Sequence, residues 1–219
     1  MNVAIILLAG KGKRFSNTKT KNLSLINKKH LFRFVVDTCL KNKSFNKIVL
    51  VVNKNEKTII EKEYMKNKRV SIVVGSSNSR QNSLKNGVNY ISKKLKSNDI
   101  IVTLDGDRVF VTNKLINKSI KISIKYGYSC TYIKLADSIV NINSNNIKYL
   151  SRDKVNCIQT PQTIQYKYWN NNQKIGNDLF SSLNLKLNKK NLIQGSPLNF
   201  KITFKEDLEL ANKIKFNSK

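Results

Sequence analysis

A chain of 219 residues, 40% hydrophobic and 25% charged, can bury one substantial core and reads as globular and soluble. No apolar run approaches the ~20 residues a helix needs to cross a bilayer, so a transmembrane helix is not expected, and the short apolar start lacks a basic leader, which disfavours a signal peptide. The formal charge of +28 comes from lysines scattered through every segment, with no arginine-rich or aromatic-basic module, and is read as compositional drift with weak polyanion affinity rather than specific nucleic-acid binding.

Asn2 to Leu8 (NVAIILL) is a short run of β-formers suited to a strand buried on both faces. It stops at Ala9-Gly10-Lys11-Gly12-Lys13-Arg14-Phe15, with Lys21 following. Glycines beyond a strand let backbone N–H groups approach an anion, and the cations add charge at the same place. The loop therefore reads as a phosphate site, with a flexible basic turn as the alternative. Its G-x-G-x-R spacing matches neither the dinucleotide fingerprint nor the P-loop.

Leu31, Phe34, Val35 and Cys39 recur at helical spacing and predict a helix from Asn27 to Leu40. Lys47 to Val52 is a second buried strand, Glu56 to Asn67 a charged helix or turn, and Arg69 to Val74 a third strand. The polar loop from Gly75 to Ser83 leads into a helix carrying Leu84, Val88, Ile91 and Leu95, with Ser79 able to cap it. That loop could hold a base edge or phosphate, or simply be a capped connection. Asp99 to Leu104 is a fourth strand, running into Asp105-Gly106-Asp107-Arg108. Carboxylates at that edge of a parallel sheet lie where ligands bind, and one could hold a metal-bound triphosphate.

Val111 to Tyr126 predicts a helix and Ser129 to Leu135 a fifth strand. Residues 137–151 read as a β-hairpin arm inserted into the α/β body, with a polar tip around Asn145-Asn146. Thr160-Pro161-Gln162 reads as an extended or turn segment. The asparagine patch at 170–172 reads as a loop, and Asn177-Asp178 precedes a helix from Leu179 to Leu187, which Asp178 would cap. Asn191 to Gln194 is a short strand, and Glu206 to Lys215 a closing helix on Leu208, Ala211 and Ile214. Strands separated by helices predict parallel βαβ units. The three cysteines, Cys39, Cys130 and Cys157, form no C-x-x-C pair and point to a reducing cytoplasm. His30 is the only histidine, so histidine base catalysis is disfavoured.

The motif series LAGKGKRF with Lys21, SSNSRQNSL, DIIVTLDGDRVFVT, DSIV, SRDKVNCIQTPQ and NFKITFKEDLELAN resembles the polyol-phosphate cytidylyltransferases across nearly the whole chain. These are the 2-C-methylerythritol 4-phosphate and ribitol 5-phosphate enzymes. The resemblance implies one domain over residues 1–219, with a Rossmann-like, mostly parallel sheet flanked by helices and a β-arm exchanged in a homodimer. It implies transfer of CMP from CTP to a polyol phosphate, with Mg²⁺ and release of pyrophosphate. By position, Arg14, Lys21 and Lys201 match the catalytic cations. Leu8, Ala9, Gly10, Gly12, Arg80, Ser83 and Asp105 fall on the nucleotide side, Asp105 also near the metal. Arg108, Arg152, Thr160 and Asp178 match acceptor-binding positions, Arg152 and Thr160 in the partner subunit's site.

The chain departs from the family's His-Asp-Ala-x-Arg-Pro at Leu104-Asp105-Gly106-Asp107-Arg108-Val109. Asp107 is then a second metal ligand or a solvated carboxylate. The stretches DIIVT, DSIV and KITFKEDLELAN look more like the ribitol branch, so ribitol 5-phosphate is the favoured acceptor and methylerythritol 4-phosphate the alternative. A catalytically inactive polyanion-binding homologue is the rival from another class.

Overall fold

The computed structural model describes residues 1–16, 20–143, 146–170, 176 and 178–214. The chain opens with strand β1 (Asn2–Leu8), then a two-stranded clip of β2 (Leu25–Ile26) and β3 (Lys29–His30). Helix α1 (Leu31–Lys41) starts at the first residue of its apolar spacing, four residues later than the expected Asn27, because Asn27 and Lys28 adopt positive φ in the clip's turn. Strand β4 (Lys47–Val52), helix α2 (Lys57–Tyr64) and strand β5 (Val70–Val74) follow. Helix α3 (Arg80–Ser92) is capped by Ser79, whose hydroxyl accepts from Asn82 N–H at 3.2 Å. Strand β6 (Ile100–Asp105), helix α4 (Asn113–Tyr126) and strand β7 (Tyr128–Lys134) complete the regular alternation.

The expected hairpin is present as β8 (Ile139–Asn143) paired with β9 (Asn146–Leu150), which among the described residues form a separate two-stranded sheet. Asn145, at its expected tip, lies outside the described residues. The segment around Pro161, read as extended or a turn, is extended: it forms the middle of the ten-residue strand β10 (Asn156–Gln165). Its pairing with β7 shifts register between Gln159 and Gln162, and a proline is tolerated in a strand where the ladder is interrupted. Helix α5 (Leu179–Leu183) is shorter than expected, ending where Asn184 turns left-handed, and Asp178 caps it. Strand β11 (Leu192–Gln194) and helix α6 (Lys205–Lys213) close the described chain. Residues 171, 172, 177 and 215, which carried parts of the expected loop, cap and closing helix, lie outside it.

Among the described residues the main sheet runs β11-β7-β10-β6-β1-β4-β5, mostly parallel, with β10 antiparallel to both neighbours. One face packs α1, α2 and α4 through Phe32, Val36, Ile60, Ile116 and Ile120. The other packs α3 and α5 through Leu84, Val88, Leu179 and Phe180. Burial on both faces explains why β1, β4 and β6 read as continuous apolar runs instead of alternating ones. A smaller cluster joins Phe15, Ile26, Leu31, Val109, Ile202 and Ala211, and ties the first loop to α6.

Leu7 pairs with Asp105, so the glycine loop after β1 and the Asp105–Arg108 turn after β6 leave the sheet side by side. Gly106 N–H donates to Leu7 C=O at 3.0 Å, which brings the turn close to β1. A Cβ on Gly106 would collide with the Leu8 side chain and stand 3.1 Å from the Leu7 carbonyl oxygen. This close approach accounts for glycine where the related pattern has alanine. Gly106→Ala is expected to cost about 1–3 kcal/mol through overpacking, read as a fall of several degrees in the thermal unfolding midpoint by calorimetry.

Candidate active site

The glycine loop is hung between two anchors. β1 ends it on one side, and the buried Phe15 ring holds it on the other. Gly12 adopts φ +60°, and its carbonyl accepts from Phe15 N–H at 2.8 Å and Ser16 N–H at 3.1 Å. A side chain at Gly10 would meet nothing within 4 Å, so the loop faces open space there. That space belongs to a cleft of about 280 Å³. Leu8, Ala9, Gly10, Gly12, Arg14, Lys21, Arg80, Ser83, Asp105 and Lys201 all line it, which brings together the residues expected on the nucleotide side. Asn22, Asp107 and the Ser76–Ser79 loop line it as well.

Asp105 stands at the centre. Arg80 Nε and Nη2 donate to its Oδ1 at 3.2 and 2.9 Å, while Arg108 Nε and Lys201 Nζ each lie 3.4 Å from Oδ2. Burial by itself would raise the pKa of this carboxyl, but the charges of Arg80, Lys201 and Arg108 overcome it and hold the group far below the ordinary carboxylate range. Asp105 N–H donates to Thr160 Oγ1 at 3.1 Å, which joins β6 to β10 at this point.

Arg80, Asp105 and Lys201 also line a second cleft of about 260 Å³, with Arg108, Thr160, Gln162 and Asp178. Three of the four expected acceptor residues are therefore grouped here. Thr160, which the resemblance assigned to a partner's site, lies beside Asp105 of its own chain. Arg152 is not among these residues; it is exposed and donates to Ala136 C=O at 3.0 Å, near the base of the arm. Asp178 is both a cleft residue and the cap of α5, with Oδ1 accepting from Phe180 N–H at 2.8 Å and Ser181 N–H at 2.9 Å. Ser83, in the first turn of α3, is buried and holds the loop before the helix. Its hydroxyl accepts from Ser76 N–H at 3.0 Å and lies 2.8 Å from the Ser76 carbonyl oxygen.

One participant, Asn22, was not singled out by the sequence. Asn22 Nδ2 bridges the Leu8 carbonyl oxygen, at 2.6 Å, and Glu56 Oε2, at 2.8 Å. This bridge sets the segment carrying Lys21 against the end of β1. Asparagine after a lysine carries no pattern that would reveal it. Asp107, read from the sequence as a second metal ligand or a solvated carboxylate, is buried; it pairs through Oδ2 with Lys21 Nζ and lies with Oδ1 3.7 Å from Lys201 Nζ. Lys21 Nζ also donates to the Ile202 carbonyl oxygen at 3.0 Å.

A family model described as IspD, 2-C-methyl-D-erythritol 4-phosphate cytidylyltransferase, matches residues 2–216. The chain belongs to the IspD family. A relative named 2-C-methyl-D-erythritol 4-phosphate cytidylyltransferase, from Clostridium acetobutylicum, is 34% identical over 227 residues, covering 98% of this chain and 97% of the relative. A bifunctional IspD/IspF enzyme of Pelagibacter ubique is 33% identical, covering 99% of this chain and 58% of its own length. The solved structure of 4-diphosphocytidyl-2C-methyl-D-erythritol synthase from Anaerococcus prevotii superposes with a TM-score of 0.75 at 26% identity, covering 96% of this chain and 94% of that one. This IspD-family chain is thus an enzyme of the nucleotidyltransferase class, a cytidylyltransferase, and its mostly parallel α/β sheet is the fold of that family.

Glu56 is buried with no ion-pair partner among the described residues, and burial raises its pKa, opposed in part by the Asn22 hydrogen bond. A raised carboxyl pKa means that stability is greatest below the unfolded-state value and declines as pH rises through the folded-state value. Glu56→Gln removes that decline. The thermal midpoint of the variant is expected to gain on the wild type between pH 4 and pH 7, measured by calorimetry across that range.

Proposed function

We propose that this chain transfers the cytidylyl group of CTP to 2-C-methyl-D-erythritol 4-phosphate and releases pyrophosphate. The observation that carries the reading is a shared wall: Arg80, Asp105 and Lys201 line both clefts, so a nucleotide in one and an acceptor phosphate in the other would meet there. The names of the matched family model and relatives favour methylerythritol phosphate and outweigh the three short stretches that favoured ribitol 5-phosphate.

In this reading an oxygen of the acceptor phosphate attacks the α-phosphorus in line. The bond from that phosphorus to the bridging oxygen breaks, and its electron pair leaves with pyrophosphate. A phosphate dianion is already a nucleophile at neutral pH, so no base is required. His30 is 3.1 Å from Glu63, stacks on Phe32 and lines neither cleft. Arg14, Lys21 and Lys201 supply positive charge where the transition state gathers negative charge. The Ser76–Ser83 loop receives cytosine, and Arg108, Thr160 and Asp178 hold the acceptor.

The residues present fit a divalent cation. Asp107 Oδ1 is buried without a hydrogen-bond donor, and Mg²⁺ takes one or two carboxylates together with phosphate oxygens. Among the described residues no three His, Cys, Asp or Glu side chains form a protein cage, so Asp105 and Asp107 are the candidates to hold a metal carried by the triphosphate. Bound there, Mg²⁺ would neutralise charge on the leaving pyrophosphate.

We read residues 1–219 as one domain and the β8–β9 arm as the element exchanged in a homodimer. The exposure of Ile142, Ile147 and Tyr149 on that arm supports this, and Arg152 at its base would then serve the partner's acceptor cleft. A cytoplasmic setting fits the three free thiols; among the described residues no helix is long and apolar enough to cross a membrane.

Pyrophosphate release should require CTP with 2-C-methyl-D-erythritol 4-phosphate. Turnover only with ribitol 5-phosphate would reverse the acceptor assignment, equal turnover of UTP would remove the base-reading role of the loop, and salt-sensitive RNA binding without turnover would favour the inactive homologue. Lys21→Ala and Lys201→Ala are each expected to lower kcat/KM about a hundredfold or more, roughly 3–4 kcal/mol of barrier, in the same steady-state assay.

A further inference from the structure

We propose that Asp107 is a direct ligand to the divalent cation carried by the nucleotide, which rests on the nucleotide-site reading above. The geometry points to one oxygen. Asp107 is 8% exposed and lines the glycine-loop cleft, not the acceptor cleft. Lys21 holds Oδ2, while Oδ1 is buried with no hydrogen-bond donor. Lys201 Nζ, at 3.7 Å, is an ion-pair neighbour of Oδ1 but lies beyond hydrogen-bond reach. Asp105, by contrast, already has three cations on its two oxygens. The carboxylate oxygen with coordination to spare is therefore Asp107 Oδ1.

Its support is rigid. The Asp107 carbonyl oxygen accepts from Ile202 N–H at 3.0 Å, and the turn is closed by Arg108 N–H donating to Asp105 C=O at 3.2 Å. A monodentate carboxylate fixed in this way suits a small cation with strict octahedral geometry. Charge argues the same way. A bare carboxylate beside Lys21 and Lys201 would repel the phosphates that those lysines attract, and a divalent cation between them turns the repulsion into a bridge.

The two roles open to Asp107, holding a metal and positioning two lysines, have different signatures. In Asp107→Asn the affinity of the protein–CTP complex for Mn²⁺, followed by electron paramagnetic resonance, is expected to fall at least tenfold. CTP affinity in EDTA, followed by calorimetry, is expected to stay equal or rise, because a repelling charge is gone. Asp107→Ala serves as the second variant. In wild-type protein carrying ¹³C-carboxylate aspartate, Mn²⁺ with CTP should show coupling to a carboxylate carbon that is absent in either variant. Unchanged Mn²⁺ affinity at saturating CTP, equal losses of CTP affinity with and without metal, or no carboxylate coupling would overturn the assignment while leaving the nucleotide site standing. Wild-type protein without affinity for CTP in either condition would overturn both.

Discussion

A carboxylate at the end of a buried strand keeps its charge only if cations come to it, and Asp105 draws one from its own turn and two from distant stretches. Arg80 arrives from the start of α3, Arg108 from the turn after β6, and Lys201 from the segment before α6. Removing one member of such a cluster leaves charge uncompensated in a poorly solvated place, which typically costs several kcal/mol. The constraint is mutual. The cations could not lie so close together without the carboxylate, and the carboxylate could not remain ionised without them. The wall between the two clefts is this cluster.

Everything else around the site holds parts of the chain against that wall. The glycine loop is stretched between β1 and the buried Phe15, and Phe15 shares its apolar cluster with Ile202, next to Lys201. Asn22 binds the Lys21 segment to the end of β1, and Lys21 itself reaches both Asp107 and the Ile202 carbonyl. Two catalytic candidates separated by 180 residues thus share a short stretch of backbone as their support. Such a site owes its geometry to packing and second-layer hydrogen bonds, more than to the loops' own preferences.

The regular α/β half of the chain was legible because burial on both faces leaves an unmistakable trace. β1 and β4 begin and end where their apolar runs do. β10 was legible only as an extended or turn segment, since a proline in its middle contradicts a central strand unless the ladder is interrupted there, and the interruption is created by β7 and β6. The start of α1 and the end of α5 were misplaced for a related reason: left-handed turns at Asn27, Lys28 and Asn184 leave no mark in hydrophobic spacing. Of the site residues, those carried by motifs fell into the two clefts, apart from Arg152. Asn22 and Glu56 were missed because a buried amide–carboxylate contact involves two residues far apart in the chain with nothing distinctive about either.

Order and chemistry were therefore settled by the chain itself: a glycine loop after a buried strand, a carboxylate pair after another, and cations at positions that matched a known family. Local periodicity and residue type are short-range properties, and they survive in a linear string. Which cation faces which carboxylate, that Thr160 lies beside Asp105 in the same chain, and that Asp107 turns toward the glycine loop and away from the acceptor cleft are decided by strand register and packing. Those depend on contacts across roughly 25 to 180 residues of chain, and only the folded sheet brings them within hydrogen-bonding range.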